Sequence, residues 1–346
     1  MIDIKKSHPE QALSTGSWVK LICGASNQDL PSISDLCALY AMAGVHCIDV
    51  AADEAVVCAA REALDWVEDR KGIRPWLMIS LSDGKDAHFR KAWFDPIRCP
   101  VDCSRPCQKI CPAKAIGPFG GIREDRCYGC GRCMPTCPLG IIEEQDRKMT
   151  LNEFAPLLRE LKPDAIEIHT APGRGAEFYN SLKCLMNADI SIKRLSVSCG
   201  LQDNAITYHD LVDELWGRYL FIQEFGQQPL WQLDGRRMSG DLGKGASIVA
   251  VALWKKISHL IPPGPVQLAG GTNAYTISYL PKDNGPSGIA FGGMARQLVQ
   301  PWLHEAQSRG ISLRDWPDGW HEALNAAKQL VQPWLARYQN YKIFSY

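Results

Sequence analysis

Eight cysteines between positions 99 and 137 constrain this chain more than any other feature. They fall in two runs: Cys99, Cys103, Cys107 and Cys111 followed by Pro112, then Cys127, Cys130, Cys133 and Cys137 followed by Pro138. Thiols at that density are either oxidised in pairs or hold metal. Disulfide frameworks belong to small secreted domains. Here the chain has 346 residues, and its opening, MIDIKKSHPEQALSTGS, has no apolar signal core. Metal ligation in a cytoplasmic protein is therefore the expectation.

The second run reads C-x2-C-x2-C-x3-C-P, the spacing of bacterial 2[4Fe-4S] ferredoxins. Two-residue gaps let three thiolates of one tight turn reach three corners of a cubane, and the fourth, before proline, is directed to the other cluster. Ligation is thus expected to cross. One cluster takes Cys99, Cys103, Cys107 and Cys137; the other takes Cys127, Cys130, Cys133 and Cys111. Gly129 and Gly131 relieve crowding where backbone approaches inorganic sulfur. The pieces Cys-Pro-Ala-Lys-Ala-Ile and Cys-Pro-Leu-Gly-Ile-Ile repeat, which predicts an internal pseudo-twofold. From Arg98 to Arg132 there are seven Arg or Lys against three Asp or Glu, and that surplus opposes the roughly −2 charge of each oxidised cubane with its thiolates. The first run departs from the pattern, with three-residue gaps between its first three cysteines and Pro106 just before the third. Zinc also accepts C-x2-C pairs, but it does not account for two four-cysteine runs that each end in Cys-Pro. Cys23, Cys37, Cys47, Cys58, Cys184 and Cys199 stand singly in apolar or helical surroundings, and most read as small buried hydrophobes.

On either side of the cysteines, short β-rich runs alternate with amphipathic stretches, the signature of a parallel sheet covered by helices. Strands are expected at Trp18 to Gly24, His46 to Ala52, Pro75 to Leu81, Ala165 to Thr170, Arg194 to Ser198, Pro229 to Asp234, Pro265 to Ala269 and Gly288 to Phe291. Helices are expected at Ile33 to Gly44, Glu54 to Arg70, Leu151 to Leu161, Glu177 to Met186, His209 to Tyr219 and Ser247 to His259. Eight strands point to a (β/α)8 barrel, although the seventh helix is ill defined and leaves closure open. The fold class is α/β, a (β/α)8-barrel-like domain with an inserted ferredoxin-like α+β segment after strand three and a C-terminal helical extension. The divisions are residues 1–94 and 148–296 for the barrel, 95–147 for the insert and 297–346 for the extension. The heptapeptide Gln-Leu-Val-Gln-Pro-Trp-Leu occurs at Gln297 to Leu303 and again at Gln329 to Leu335, as two paired helices of a hairpin would require; a docking surface is the other reading.

Active sites of such barrels lie at the C-terminal ends of the strands, with phosphate held by the loops after strands seven and eight. Leu268-Ala-Gly-Gly-Thr-Asn273 and Ala290-Phe-Gly-Gly-Met-Ala-Arg296 occupy those places. Gly270, Gly271, Gly292, Gly293 and Arg296 are candidates for the phosphate of a flavin or phosphorylated ligand, and tight turns are the plainer use of the same glycines. His169, Cys199 and the segment Asp234 to Lys244, with Arg236 and Arg237, also fall at strand ends and would form a cationic pocket if they converge. A structural histidine and a solvated loop are the ordinary alternatives. Lys plus Arg equals Asp plus Glu at 38 each, so no net field draws the chain to nucleic acid or an anionic membrane. The longest apolar stretches fall short of the roughly 20 residues that span a bilayer.

With the two cysteine runs and their flanks laid out, the chain resembles the light-dependent-period iron-sulfur family of cyanobacteria, most strongly at Cys99 to Cys137. A short N-terminal region, a ferredoxin-like segment and a long C-terminal region follow in the same order. What the resemblance implies is a redox sensor that takes electrons from a donor, reads the state set by photosynthetic electron transport, and relays it to input or oscillator proteins of the circadian clock. The eight cysteines match the family's cluster ligands. An enzyme that feeds electrons from the insert to a flavin at the barrel top is the competing expectation, and a purely structural role for the clusters is a third.

Overall fold

The computed structural model describes residues 8–23, 30–71, 74–84, 90–111, 114–117, 120–123, 127, 131–146, 151–201, 206–235, 244–281 and 283–337. Cys130, Gly129, Pro112, Gly24, Arg236 and Arg237 lie outside these residues.

Eight parallel strands close into a barrel: β1 (Trp18–Cys23), β2 (Cys47–Ala51), β3 (Trp76–Ser82), β6 (Ala165–His169), β7 (Arg194–Cys199), β8 (Pro229–Asp234), β9 (Val266–Ala269) and β10 (Gly288–Phe291). Two further strands, β4 (Arg90–Trp93) and β5 (Glu143–Asp146), pair antiparallel between β3 and β6. Along each barrel strand the Ile, Leu and Val side chains of one parity join the main core with the surrounding helices. The other parity points inward.

The covering helices are α2 (Leu30–Ala43), α3 (Glu54–Lys71), α6 (Leu151–Leu161), α7 (Gly175–Asn187), α8 (Tyr208–Glu224), α9 (Ile248–Ile257) and α10 (Gly293–Ser308). A capping box fixes the start of α8: Thr207 Oγ1 accepts the Asp210 N–H at 3.2 Å while the Asp210 carboxylate accepts the Thr207 N–H at 2.8 Å. The expected seventh helix is a single 3-10 turn, Thr276–Tyr279. The barrel closes nonetheless, because β10 pairs directly with β1 from Trp18↔Gly288 to Leu21↔Phe291. Gly288 is required there, since a Cβ at that position would lie 2.3 Å from Trp18 Cδ1.

A first helix, α1 (Pro9–Thr15), was not legible in the sequence. It lays Ala12 and Leu13 against Trp18, Cys47, Trp76, Ala165 and Leu230, a second apolar cluster that seals the barrel floor. At the other end of the chain, α10 begins at Gly293, immediately after β10, and residues 297 onward continue a helix already under way. It is followed by α11 (Pro317–Leu335). Both heptapeptide copies lie in these helices and bury equivalent side chains, Val299 and Leu303 in one, Val331 and Leu335 in the other. The link between them is fastened to α2 by Asp35, whose buried carboxylate accepts Ser312 Oγ at 2.6 Å, the Leu313 N–H at 2.7 Å and Arg314 Nε at 3.1 Å. Among the described residues no helix is long and apolar enough to cross a membrane.

Candidate iron-sulfur centre

The insert leaves the barrel through β4 and returns through β5, a ribbon that brings its two ends side by side, Arg90 opposite Asp146 and Trp93 opposite Glu143. Beyond the ribbon each cysteine run carries one short helix, α4 (Pro106–Ile110) and α5 (Cys133–Thr136). Proline at the first position of α4 costs nothing there, because that N–H has no intrahelical partner. Both helices end on a cysteine in the same extended conformation. Cys111 has φ −73° and ψ 108°, and Cys137 has φ −74° and ψ 114°. The N–H of Cys111 donates to the Gln108 carbonyl at 3.4 Å and that of Cys137 to the Met134 carbonyl at 3.3 Å.

The repeat continues past the cysteines. Ala115 and Ile116 follow Cys111 as Ile141 and Ile142 follow Cys137, and all four are buried in a core of the insert's own with Ala92, Phe94, Cys107, Cys127 and Cys133. Cys99, Cys111 and Cys137 pack against it from partly buried positions. Two sequence pieces that read alike therefore fold alike, in an apolar shell that would limit water at bound metal.

Backbone amides are aimed at the sulfurs. The Ala115 N–H donates to Cys111 Sγ at 3.2 Å. At Cys137 burial pushes the thiol pKa up, but the amides of Ile141, Leu139, Gly140 and Ile142 outweigh it and hold the thiol below its usual range. Such N–H groups stabilise anionic sulfur. At Cys107 burial pushes the thiol up, the Gln108 amide pulls it down, and Cys137, Cys103 and Cys99 push it up further. Those three neighbours include Cys137 of the other run. Every described cysteine is free of disulfides. Among the described residues no three His, Cys, Asp or Glu groups are gathered as closely as the ligands of one metal ion would be; a cubane, whose irons each take one thiolate, holds its four sulfurs farther apart than a single ion does. The donor set, thiols with amides directed at them in an apolar shell, fits iron-sulfur clusters.

The barrel-top candidates separate into different roles. Gly270 and Gly271 have positive φ, 71° and 92°, and a Cβ on Gly271 would meet the Ala246 carbonyl oxygen at 2.8 Å. A tight turn against the segment before α9 thus accounts for this pair. Gly292 and Gly293 open α10, with no side chain capping its first turn. Arg296, in that turn, donates to the Ile22 carbonyl at 3.5 Å. Cys199 points away from the barrel interior into the main core, and burial pushes its thiol up to about 12. It takes no part in a pocket. The described part of the expected cationic pocket is instead acidic: His169 and Asp234 face inward, His169 Nε2 lies 3.1 Å from Glu167 Oε1, and Ser198 Oγ donates to Asp234.

Sequence reasoning missed the interior of the barrel. Such interiors are mostly filled by branched apolar side chains, but this one holds a polar column. Lys20 Nζ lies 2.9 Å from Asp49 Oδ2 and 2.6 Å from Glu167 Oε2, and all three side chains are sealed from solvent. Ser80 donates to Asp49, Ser196 Oγ to Glu167 Oε2 at 2.7 Å and Gln232 Nε2 to Glu167 Oε1 at 3.1 Å. Gln267 Nε2 donates to Gln232 Oε1 at 2.9 Å, and Trp18 Nε1 to Gln267 Oε1 at 2.8 Å. Burial alone would push the Glu167 carboxyl up, but Lys20, with His169, holds it down to about 2. Burial raises Asp49 and Asp234. The available signal was a lone charge at the centre of each apolar run, in WVKLIC, CIDVA and AIEIH.

Comparison with known proteins places this geometry. Residues 99–148 match the LdpA Fe-S cluster-binding domain, and residues 157–333 match the light dependent period A C-terminal domain. The light dependent period A protein of Synechococcus elongatus is 43% identical over 330 residues, covering 93% of this chain and 92% of that one. An uncharacterized ferredoxin of Methanocaldococcus jannaschii is 37% identical over 65 residues, 18% of this chain and 43% of its own length. A putative electron transport protein of Escherichia coli is 35% identical over 54 residues, 15% of this chain and 34% of its own.

Proposed function

The chain belongs to the light dependent period A family and is an iron-sulfur protein, and from that premise we propose that it carries two [4Fe-4S] clusters and reports cellular redox state to the circadian clock. Cys99, Cys103, Cys107 and Cys137 hold one cluster; Cys127, Cys130, Cys133 and Cys111 hold the other. The observation that carries this reading is the position of Cys137, which belongs to the second run by sequence and lies beside Cys107 of the first, as Cys103 and Cys99 do. The clusters supply one-electron exchange. The protein's part is to fix their charge and surroundings: amides directed at Cys111 and Cys137 stabilise thiolate sulfur, the Ala115–Ile116 and Ile141–Ile142 pairs keep water out, and the surplus basic residues offset negative charge. Its partners in this reading are an electron donor and clock input or oscillator proteins, and its place is the cytoplasm.

Anaerobic purification with iron and sulfide analysis tests the cofactor. About eight of each per chain are expected for two cubanes, with absorbance that bleaches reversibly under dithionite. Cys137→Ser is expected to damage the cluster of the first run and spare that of Cys127 and Cys133; loss confined to the second run's cluster would refute the crossing. In a cyanobacterium that relies on this chain, Cys127→Ser is expected to alter the dependence of circadian period on light, and an unchanged dependence refutes the clock reading.

A second reading rests on α10, whose first-turn N–H groups carry no side-chain cap and whose Arg296 lies beside them. In that reading the barrel mouth takes the phosphate of a flavin and the insert passes it electrons. Stoichiometric flavin released by acid from the purified protein would favour it, and its absence would remove it.

A further inference from the structure

Among the described residues of the insert, four large aliphatic side chains stand in solvent, each close in sequence to a cysteine assigned to one cluster. Val101, between Cys99 and Cys103, is 96% exposed, and Ile97, two residues before Cys99, is 92% exposed. Ile110, between Cys107 and Cys111 on α4, is 41% exposed, and Leu139, two residues after Cys137, is 48% exposed. Helices α4 and α5 pack together, and Cys107 has Cys137, Cys103 and Cys99 beside it, so side chains next to these cysteines border one region although they come from separate stretches. Isolated surface Leu or Ile residues are ordinary, but aliphatic side chains left this bare around a functional centre mark a contact surface.

The two ends of the insert differ in access. Of the first cluster's ligands Cys99, Cys103 and Cys137 are partly exposed and Cys107 is buried; of the second's described ligands Cys111 is partly exposed and Cys127 and Cys133 are buried. The charges interspersed with Ile97, Val101 and Ile110 are Arg98, Arg105 and Lys109 against a lone Asp102. Arg98 is met only loosely by Glu143, at 3.7 Å with both side chains more than half exposed, a pair that salt and water weaken.

We infer that this face is the docking surface for a small acidic electron-carrier protein, which delivers its electron to the cluster held by Cys99, Cys103, Cys107 and Cys137. The inference rests on the redox reading above and adds the partner's chemistry and the point of entry. The carrier gives up one electron and is oxidised; the cluster at this face accepts that electron, and no proton or group is transferred. An apolar centre of four side chains with a basic rim suits a transient complex, since electron-transfer encounters bury the smallest interfaces, below about 1,200 Å². Opposite charge brings such partners together, and the apolar contact holds them close once water is expelled.

The test uses the anaerobically purified full chain and, as carrier, a small acidic [2Fe-2S] ferredoxin. Affinity for the oxidised carrier is read by calorimetry, and reduction by the reduced carrier is followed in stopped flow. Dithionite serves as a reductant that needs no docking surface. Val101→Glu and Ile97→Glu change exposed aliphatic side chains that neither ligate nor neutralise a cluster, so iron content is expected to stay at the wild-type level. Each is expected to weaken carrier binding and slow carrier-driven reduction by about tenfold, with dithionite reduction unchanged and with wild-type binding falling as salt rises. Binding unaltered in both variants, or binding that strengthens with salt, overturns the docking surface while leaving the redox reading intact. Failure of dithionite to bleach the wild-type protein overturns both.

Discussion

Lys20→Met removes an ammonium that lies against two sealed carboxylates, and its effect can be worked from their surroundings. Asp49 keeps a hydrogen bond from Ser80, and Glu167 keeps those from Ser196 and Gln232, so neither oxygen pair is stripped bare. Each carboxylate nevertheless loses its counter-charge where solvent cannot replace it, and breaking a buried pair by deleting one partner costs about 3–5 kcal/mol. The sign with pH follows from the shifts. In the wild-type protein Glu167 is held at about 2, below its unfolded value near 4.3, so its contribution is present above that value and is lost as pH falls towards 2. In the variant the ammonium no longer opposes burial, so Asp49, already raised, rises further and Glu167 moves up past its unfolded value; each then destabilises the fold increasingly as pH rises through about 4. The gap between wild type and variant is therefore widest at neutral pH and narrows as pH falls. Urea unfolding followed by tryptophan fluorescence, at matched iron content and at pH 7, 5.5 and 4, measures it. The triple change Lys20→Met, Asp49→Asn and Glu167→Gln removes all three charges together and is expected to lie close to wild type. A cost below about 1 kcal/mol for Lys20→Met at pH 7, or a gap that widens on acidification, would refute the reasoning.

Two further outcomes follow from single side chains. Burial pulls His46 down to about 4, and its Nδ1 accepts the Val19 N–H at 3.1 Å, which requires the neutral ring. Its contribution is complete above the unfolded value near 6.5 and is lost as pH falls towards 4, roughly 3 kcal/mol in all; His46→Asn should flatten that part of the stability profile in urea titrations, and an unaltered slope would rule the histidine out as its source. Gly271→Ala puts a side chain at φ 92° and 2.8 Å from the Ala246 carbonyl, so a loss of about 1–3 kcal/mol in thermal or urea unfolding is expected; a neutral substitution would show that the turn yields freely.

The barrel strands were legible because each is a short β-rich run with sharp ends. The strands from Pro229 and Gly288 keep the expected bounds, that from Trp18 keeps its start, and the others shift by one residue at one end or both. The ribbon of β4 and β5 was not legible, since RKAW and EEQD are charged, exposed in part, and have no apolar alternation to read. Helix α1 was hidden because seven residues carry too little periodicity, and its burial of Ala12 and Leu13 is decided by the barrel floor. The missing seventh helix shows the converse: β10 needs only β1 and β9 as neighbours, and the loop before it is free to shorten to one turn. In the insert, the spacing of cysteines specified the repeat, but the amides behind Cys111 and Cys137 depend on how the chain turns after each proline. The polar barrel interior was spelled out one charge per strand, and only closure brings Lys20, Asp49 and Glu167 to one point.

That closure has a consequence for how the protein is made. The last seam joins β1, at residues 18–23, to β10, at residues 288–291. At a ribosomal pace of about 5–20 residues per second, roughly 15–50 s separate the emergence of the two. During that interval β1 has β2 on one edge and nothing on the other, and Lys20 can meet Asp49 early but Glu167 only once β6 has emerged. The insert, whose ribbon is closed on itself by residue 146, is complete while half the barrel is still unmade. A nascent chain stalled after β5 would thus present a finished metal-binding unit on an unfinished scaffold, open to iron delivery before the barrel sets around its base.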